Sequence, residues 1–375
     1  MSLGIGLIGT GFMGKAHALA WQTARAVMGD VPEVRLEHLC DRTPEKAAQR
    51  ASQFGFPRWT DDWRQLVADP RVDVISICTP NGLHRPIAEA ALAAGKHVWC
   101  EKPLGVTLAD AEAMAAAAAA SATKTMVGYS FSRNPAYRHA RKLVAEGRIG
   151  RILHIRGWVD EDYQADGALP WTWRCRRSEA GLGALGDVAV HLVSLVTGLA
   201  GPIASVQAEI AAAYPTRPLP EGGSAAVENE DIASALVRFE AGFHGVLTAS
   251  RAAWGRKNRL GFEVHGSEGM IVFDQERMNE LELFTTDGPK SEQGFRTILT
   301  SGEHPPYASF CPAPGHQIGG NELKVIEAAE FLAAIAGGPA CWPDFAAALE
   351  IERVIFAIEA AAQSSRRVEV ASIRG

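Results

Sequence analysis

Short apolar runs alternate with longer segments of helical periodicity throughout the first third of the chain. Apolar runs bounded by turn residues predict buried strands, whereas apolar residues that recur every third or fourth position predict helices. This alternation is typical of an α/β fold with a doubly wound parallel sheet and right-handed crossovers. The predicted strands lie at 3–8, 35–40, 72–78, 96–100 and 125–128, and the predicted helices at 15–28, 45–54, 63–68, 85–94 and 108–121.

The pattern changes after residue 150, where predicted strands follow one another without intervening helices. Such a succession indicates a large, mostly antiparallel open sheet in an α+β domain. We therefore predict a Rossmann domain at 1–128 and a second domain at 129–375. Within the second domain, residues 286–320 are rich in Gly and Pro and predict an irregular segment, and two helices close the chain at 321–336 and 345–364.

The composition narrows the class of protein. At 375 residues, with 47% hydrophobic and 21% charged residues, the chain can build two cores. A net charge of -6 argues against a nucleic-acid surface. We find no leader-like start and no apolar run that we judge long enough to cross a bilayer, so we expect a cytoplasmic protein without a membrane partner. The six cysteines lack metal-ligand spacing, so we expect free thiols and no metal site.

A glycine-rich turn follows the first predicted strand and opens the first predicted helix. Gly9, Gly11 and Gly14 fit the spacing G-x-G-x-x-G, with Phe12 and Met13 between the last two glycines. The first glycine permits a tight turn, the second allows a pyrophosphate to approach the backbone, and the third allows close packing of the helix on the strand. The turn therefore predicts a dinucleotide site at the positive end of a helix.

The residues after the second predicted strand bear on the choice of cofactor. Asp41 lies where a Rossmann fold places the acid that binds the adenosine ribose, although it could instead cap the next helix. A carboxylate there repels a 2′-phosphate and favours NAD. The adjacent Arg42 could stack on adenine or accommodate that phosphate, so NADP stays open.

Polar residues also follow two later strands, at the sheet edge where doubly wound folds bind ligands. The third strand leads into a turn from Thr79 to His84, and the fourth ends in Glu101, Lys102 and Pro103. Glu101 and Lys102 could be no more than a solvated ion pair at a strand end. Their position in the nucleotide-binding pattern favours a functional site. The candidate cofactor contacts from these two segments are Thr79, Pro80, Asn81, His84, Glu101 and Lys102.

A second polar constellation lies on a helix that we predict from about Ala184. The helix is apolar nearly all round, yet Asp187, His191 and Ser194 recur on one stripe. His191 could be a satisfied core histidine. An acid one turn before it, however, is the arrangement that fixes an imidazole tautomer and raises its basicity. We therefore predict Asp187 and His191 to be catalytic.

An arginine that follows two tryptophans precedes this helix. Trp173 and Arg174 lie in the sequence Trp-Thr-Trp-Arg. A guanidinium beside indole rings could grip a polyol or a cofactor, and packing between domains is an equal alternative. We count both residues as substrate candidates.

Taken together, these motifs resemble the glucose–fructose oxidoreductase / inositol dehydrogenase / MocA (Gfo/Idh/MocA) family. The resemblance implies an NAD(P)-dependent oxidoreductase acting on the CH–OH group of a sugar, anhydrosugar or cyclitol. By residue-wise carry-over, Lys102 would hydrogen-bond the reacting hydroxyl, His191 would be the acid/base group and Asp187 would orient His191 and the substrate. Glu101 and Asn81 would contact the nicotinamide end. Ser194 stands where many members have a further acid, which puts an inositol substrate in doubt.

Two other functions remain open at this point. Some relatives with this fold are glycosidases that oxidise their substrate transiently with tightly held NAD. A regulatory protein that senses NAD(P) without turnover is the other alternative, against which the intact Lys102, Asp187 and His191 argue. The open sheet of such second domains commonly pairs face to face, so we expect a homodimer or homotetramer.

Overall fold

The computed structural model describes residues 2–375, which form two compact units. The first unit comprises the chain up to Ser130, together with Ile318–Glu350 and Gly375. The second comprises Phe131–Gln317 and Ile351–Arg374. This division differs from the boundary predicted at 128/129, because 318–350 return to the first unit.

The first unit contains a six-stranded parallel sheet, as the α/β pattern predicted. Its strand order is β3-β2-β1-β4-β5-β6, the order of a Rossmann fold. The order reverses between β1 and β4, which makes the carboxyl ends of these strands the edge where ligands bind in such sheets. The strands are β1 (Ser2–Ile8), β2 (Glu33–Cys40), β3 (Trp59–Thr60), β4 (Val74–Ile77), β5 (His97–Cys100) and β6 (Thr125–Val127).

Helices connect these strands. The alanine-rich stretch after residue 107 is helical, and a capping box between Thr107 and Asp110 starts it. The short strand β3 was not predicted, because two residues give no periodicity. The helices are α1 (Phe12–Met28), α2 (Pro44–Phe54), α3 (Trp63–Val67), α4 (His84–Ala93) and α5 (Leu108–Ala119).

The second unit contains a nine-stranded, mostly antiparallel sheet, which confirms the predicted fold class. Its order is β16-β15-β14-β13-β7-β12-β11-β8-β17, and only β7 and β12 pair in parallel. Burial alternates along β11 and β12, so one face of the sheet is covered and the other is open. The strands are β7 (Ile152–Asp160), β8 (Ile203–Ala211), β11 (Ile232–Phe239), β12 (His244–Ser250), β13 (Arg259–Gly266), β14 (Gly269–Asp274), β15 (Glu280–Thr285), β16 (Arg296–Leu299) and β17 (Val368–Glu369), and a separate hairpin is formed by β9 (Thr216–Pro218) and β10 (Ser224–Ala226).

Helix α8 packs on the covered face of this sheet. A Cβ at Gly157 of β7 would lie 2.8 Å from Leu192 Cδ1, so any larger residue there would require the Leu192 side chain to shift. The Tyr137 hydroxyl donates to the Leu195 carbonyl at 2.9 Å and joins α6 to α8. The helices of this unit are α6 (Pro135–Ala145), α7 (Arg177–Ala180), α8 (Val190–Ala200) and α9 (Tyr307–Phe310). Strand β16 and helix α9 show that the predicted irregular segment has some regular structure.

Two helices follow residue 318. Helix α10 (Gly320–Ile335) packs against α1 inside the first unit, and the residues of α11 (Phe345–Ser364) are divided between the units at Glu350. The returning chain is held at β6 by two backbone donors. Val127 N–H donates to the Pro343 carbonyl at 3.0 Å, and Phe345 N–H donates to Thr125 Oγ1 at 3.2 Å.

One helical stretch of the described residues, Arg177–Ala200, has the length and apolar composition of a membrane span. The expectation that no apolar run is long enough to cross a bilayer was therefore wrong, as judged by length and composition alone. However, 72% of its most apolar window is buried inside the fold, which is the pattern of a core helix.

Candidate active site

The glycine-rich turn of the first unit has the tight geometry that a dinucleotide cradle requires. Gly9 has φ +94°, and a Cβ there would lie 2.4 Å from the Cys78 carbonyl oxygen. A Cβ at Gly14 would lie 2.1 Å from the Gly9 carbonyl oxygen, whereas space is open around Gly11. Phe12 and Met13 begin α1, and no side chain caps its first amides. These residues fit a pyrophosphate at the start of α1.

Asp41 follows β2 and is fastened to the glycine-rich turn. The backbone N–H of Thr10 donates to its Oδ2 at 3.0 Å, and Lys46 Nζ lies 2.9 Å from the same oxygen. Burial alone would raise the pKa of Asp41, but the hydrogen bonds from Thr10 and Lys46 outweigh it and lower the pKa below its usual value. Asp41 is therefore an ionised acceptor. Thr43, not Asp41, occupies the N-cap position of α2, and Arg42 is exposed.

His84 links the turns after β4 and β5. Its Nδ1 lies 2.8 Å from the Pro103 carbonyl oxygen and its Nε2 lies 3.1 Å from the Thr79 carbonyl oxygen. The side chain is buried, and burial lowers its pKa. His84 therefore holds two backbone carbonyls of the unit in place, and its predicted contact with the cofactor stays a prediction. Thr79 and Asn81 are half-buried and Pro80 is exposed.

Glu101 is also directed into the first unit. Its Oε1 lies 2.9 Å from His17 Nε2 and 2.5 Å from Lys324 Nζ, and Lys324 Nζ lies 2.8 Å from Glu327 Oε2. All four side chains are at least 90% buried. The Trp99 ring stacks on His17 with centroids 3.7 Å apart. We call His17, Glu101, Lys324 and Glu327 the buried ionic cluster.

The electrostatics of this cluster follow from burial and pairing. Burial raises the pKa of Glu101, but Lys324 and His17 outweigh it and lower the pKa. Burial lowers the pKa of His17 to about 4, so its imidazole is neutral near pH 7. The Glu101 carboxylate thus already has His17 and Lys324 as partners, and its contact with the nicotinamide stays a prediction; Lys102, the next residue, is half-buried. Lys324 and Glu327, inside the mostly apolar stretch 323–334, were the sequence signal for this cluster, which the sequence analysis missed.

In the second unit, Asp187 lies on a π-helical turn, Leu185–Ala189, that leads into α8. Such turns are rare and occur frequently at functional sites. Glu230 holds the start of this turn with two hydrogen bonds. Its carbonyl accepts from Ala184 N–H at 2.8 Å, and its Oε1 accepts from Leu185 N–H at 2.8 Å. A Cβ at Gly183 would lie 1.8 Å from the Glu230 carbonyl oxygen, so a glycine is required there.

His191 is the second residue of α8, just after this turn, and its side chain is largely buried. The ring of Phe131 meets its imidazole edge-on, with centroids 4.6 Å apart. The Asp187 carboxylate accepts a hydrogen bond of 2.5 Å from the hydroxyl of Tyr163, a residue that the sequence analysis missed. Ser194 does not extend the polar stripe as expected, because it is buried and donates to the His191 carbonyl at 2.7 Å.

Trp173 and Arg174 form a stacked pair. The Arg174 guanidinium lies 4.7 Å from the centre of the Trp173 ring, and the side chain of Asn229 donates to the Arg174 carbonyl at 2.8 Å. Arg174 is exposed and Trp173 is half-buried. The predicted pairing of guanidinium and indole is therefore present, and a contact with substrate stays a prediction.

Comparison with known proteins adds the family. Residues 3–129 match the profile of an oxidoreductase family with an NAD-binding Rossmann fold, and 137–272 match the GFO/IDH/MocA C-terminal domain. Levoglucosan dehydrogenase from Pseudarthrobacter phenanthrenivorans is 39% identical over 386 residues, which cover 99% of both chains. Inositol 2-dehydrogenase from Rhizobium meliloti is 27% identical over 317 residues, 84% of this chain and 89% of the relative.

Solved structures agree with this assignment. Levoglucosan dehydrogenase in complex with NADH and levoglucosan has a TM-score of 0.96 and 40% identity, and covers 99% of this chain and 100% of its own. An NAD binding oxidoreductase from Klebsiella pneumoniae has a TM-score of 0.95 and 40% identity, with 100% of both chains covered. The chain therefore belongs to the Gfo/Idh/MocA family of oxidoreductases, and its first unit is an NAD-binding Rossmann domain.

Proposed function

We propose that this protein is an NAD-dependent dehydrogenase that oxidises a secondary hydroxyl of a sugar, with anhydrosugars as the preferred class. The observation that carries the proposal is the 39% identity to a levoglucosan dehydrogenase over 99% of both chains. The acid/base residues Lys102, Asp187 and His191 support it, since a protein that only senses NAD has no need of them.

The chemistry assigns a task to each of these side chains. Oxidation of a secondary alcohol removes the hydroxyl proton while hydride leaves carbon, and NAD supplies the hydride acceptor when it is bound. His191 takes the hydroxyl proton, because imidazole titrates near neutral pH. Lys102 holds the hydroxyl oxygen and stabilises its alkoxide character. Asp187 holds the imidazole in one orientation.

The first unit would hold NAD through the glycine-rich turn and Asp41. The ionised Asp41 carboxylate, fixed by Thr10 and Lys46, would accept from the ribose hydroxyls and repel a 2′-phosphate. Lys46 is nearly half exposed and offers a cation that could weaken this repulsion. We expect tighter binding of NAD than of NADP, measured as two dissociation constants; a preference for NADP would contradict the role of Asp41.

The test is the appearance of NADH absorbance when purified protein is mixed with NAD and one of a panel of levoglucosan, inositols, aldoses and aryl glycosides. Reduction of NAD with levoglucosan and with no inositol is the expected result. Cleavage of an aryl glycoside without net NADH would instead identify an NAD-dependent glycosidase. Binding of NAD without turnover of any sugar would support the sensor.

We also propose that a second copy of the chain covers the open face of the nine-stranded sheet. Leu236 of β11 is 56% exposed on this face and Ile232 is 39% exposed. Such side chains are typical of an interface between subunits. Size-exclusion chromatography with light scattering should give a dimer or tetramer, and Leu236→Lys should shift it towards monomer. A monomeric wild-type protein would overturn this proposal.

A further inference from the structure

Tyr163 contacts Asp187, the carboxylate of the second unit to which we assign a catalytic task. Its hydroxyl donates to Asp187 Oδ2 at 2.5 Å, and an ionised carboxylate is a strong acceptor for such a donor. Burial is the main cause that raises the pKa of Tyr163 well above its usual value, and the charge of Asp187 adds to it. The phenol is therefore a neutral donor near neutral pH, and Asp187 is the acceptor.

The segment that carries Tyr163 is fixed on both sides. Glu161 N–H donates to the Ser250 carbonyl at 2.8 Å, and Gln164 N–H donates to the Arg251 carbonyl at 2.9 Å. The buried guanidinium of Arg217 donates to the Gln164 carbonyl at 2.7 Å. A side chain on backbone held in this way has a defined position before any substrate arrives.

The acceptor is fixed as well. Asp187 lies on the π-helical turn that Glu230 supports, four residues before His191. One fixed hydroxyl and one fixed carboxylate thus meet at the start of the helix that carries the acid/base histidine. A packing role alone does not require a hydroxyl at this position, since phenylalanine has nearly the same shape.

We propose that Tyr163 is a third member of the acid/base set, a positioning residue that acts through Asp187 by holding its carboxylate ionised and oriented towards its task at His191. This inference rests on the proposed role of His191. The hydroxyl shares the negative charge of Asp187, so the carboxylate stabilises the imidazolium less than it otherwise would. Tyr163 thereby keeps His191 available as a base at lower pH.

The other charged groups near Tyr163 do not change with this residue. Arg251, which follows β12, lies near it but donates from Nε to Asp231 at 2.6 Å and from a terminal nitrogen to the Asn229 side chain at 2.7 Å. Glu161 lies on the same segment as Tyr163 and acts on it weakly. Glu230 is buried, and burial raises its pKa. Removal of the Tyr163 hydroxyl therefore leaves these groups in place.

The test is the variant Tyr163→Phe, with Tyr214→Phe as a matched control. Tyr214 lies in the same unit, but its hydroxyl donates to the Ala165 carbonyl at 2.8 Å rather than to a carboxylate. In Tyr163→Phe, the acidic limb of the pH profile of kcat/KM should move up by about 0.5–1 pH unit, because the Asp187 carboxylate no longer shares its charge with the hydroxyl and stabilises the imidazolium of His191 more strongly. Tyr214→Phe should leave the limb where it is.

Two further measurements keep the outcome decisive. In an Asp187→Asn background, Tyr163→Phe should cause no additional shift, since the tyrosine acts through that carboxylate. An NMR titration of labelled histidine, with His191 assigned by its loss in His191→Gln, should show the same upward shift without any turnover. An equal fall in rate at every pH, or superimposable titrations in Tyr163→Phe and wild type, would overturn the inference.

The NMR titration also separates the two hypotheses. If the wild-type protein oxidises no sugar of the panel, the proposed function fails, and the titration still decides whether Tyr163 acts on His191. If the enzyme turns over and neither its pH profile nor the titration responds to Tyr163→Phe, only the role of Tyr163 fails.

Discussion

Removal of the Lys324 ammonium should strongly destabilise the first unit. Lys324 Nζ lies 2.5 Å from Glu101 Oε1 and 2.8 Å from Glu327 Oε2, and its side chain is only 2% exposed. The variant Lys324→Met keeps most of the stem but leaves the Glu101 carboxylate buried without its ammonium. The remaining imidazole of His17 is neutral near pH 7, so it does not replace that charge.

The magnitude follows from these distances. At an effective dielectric constant of about 20, each pair is worth about 4 kcal/mol when its charge centres lie about 4 Å apart. The variant also avoids the desolvation of a buried ammonium, which offsets part of this loss. Loss of one partner of a buried pair costs about 3–5 kcal/mol in measured cases. We therefore expect Lys324→Met to lower the free energy of unfolding of the first unit by an amount in this range.

The assay is urea unfolding followed by tryptophan fluorescence, to which Trp99 contributes directly from its stack on His17. The midpoint of Lys324→Met should fall by about 1–3 M urea. Lys142→Met is the control, because Lys142 makes an exposed pair with Glu146 at 3.8 Å, and its effect should be within about 0.5 kcal/mol.

A double variant sharpens the result. Glu101→Gln added to Lys324→Met removes the orphaned charge and should restore part of the stability. If Lys324→Met unfolds at the same urea concentration as Lys142→Met, the reasoning from buried charge is refuted.

Three further predictions concern catalysis, the cofactor turn and acid stability. Lys102→Ala and His191→Ala should each lower kcat by at least about 100-fold, measured by NADH absorbance. Calorimetry should show that both variants still bind NAD. Wild-type turnover in either variant would remove that residue from the mechanism. Gly14→Ala should abolish NAD binding in the same calorimetric titration, because its Cβ would lie 2.1 Å from the Gly9 carbonyl oxygen, and unchanged affinity would contradict the tight turn. Burial lowers the pKa of His17 to about 4, so His17 binds a proton more readily in the unfolded chain. The free energy of unfolding should therefore fall as the pH drops from about 6.5 towards 4. In His17→Gln, the urea midpoint should depend less on pH over this range.

The sequence was sufficient for most of the first unit. Strands β1 and β4 include short apolar runs, and the glycine spacing and Asp41 have a local physical cause that is visible in a few residues. The motifs were also specific enough in combination to identify the family. Periodicity further predicted the mostly antiparallel second sheet, because consecutive strands leave no room for crossover helices.

Features that depend on distant residues were out of reach. The bond from Tyr163 to Asp187 joins residues 24 apart, and the π-helical turn has no sequence signature that separates it from an α-helix. Ser194 shares a helical stripe with His191, yet its hydroxyl bonds the helix backbone, a choice that spacing does not reveal. The partners of Glu101 lie in α1 and α10, so its burial could not be read from the end of β5.

Because of helix α10, the nucleotide-binding unit is built from two segments that lie far apart in the sequence. A ribosome that has made the first 130 residues has produced all six strands of the sheet, but neither Lys324 nor Glu327 exists yet. Until residues 318–350 emerge, Glu101 and His17 have water where α10 will lie. Although domains generally fold in order of synthesis, the nascent NAD-binding unit must wait for the last sixth of the chain to finish its core.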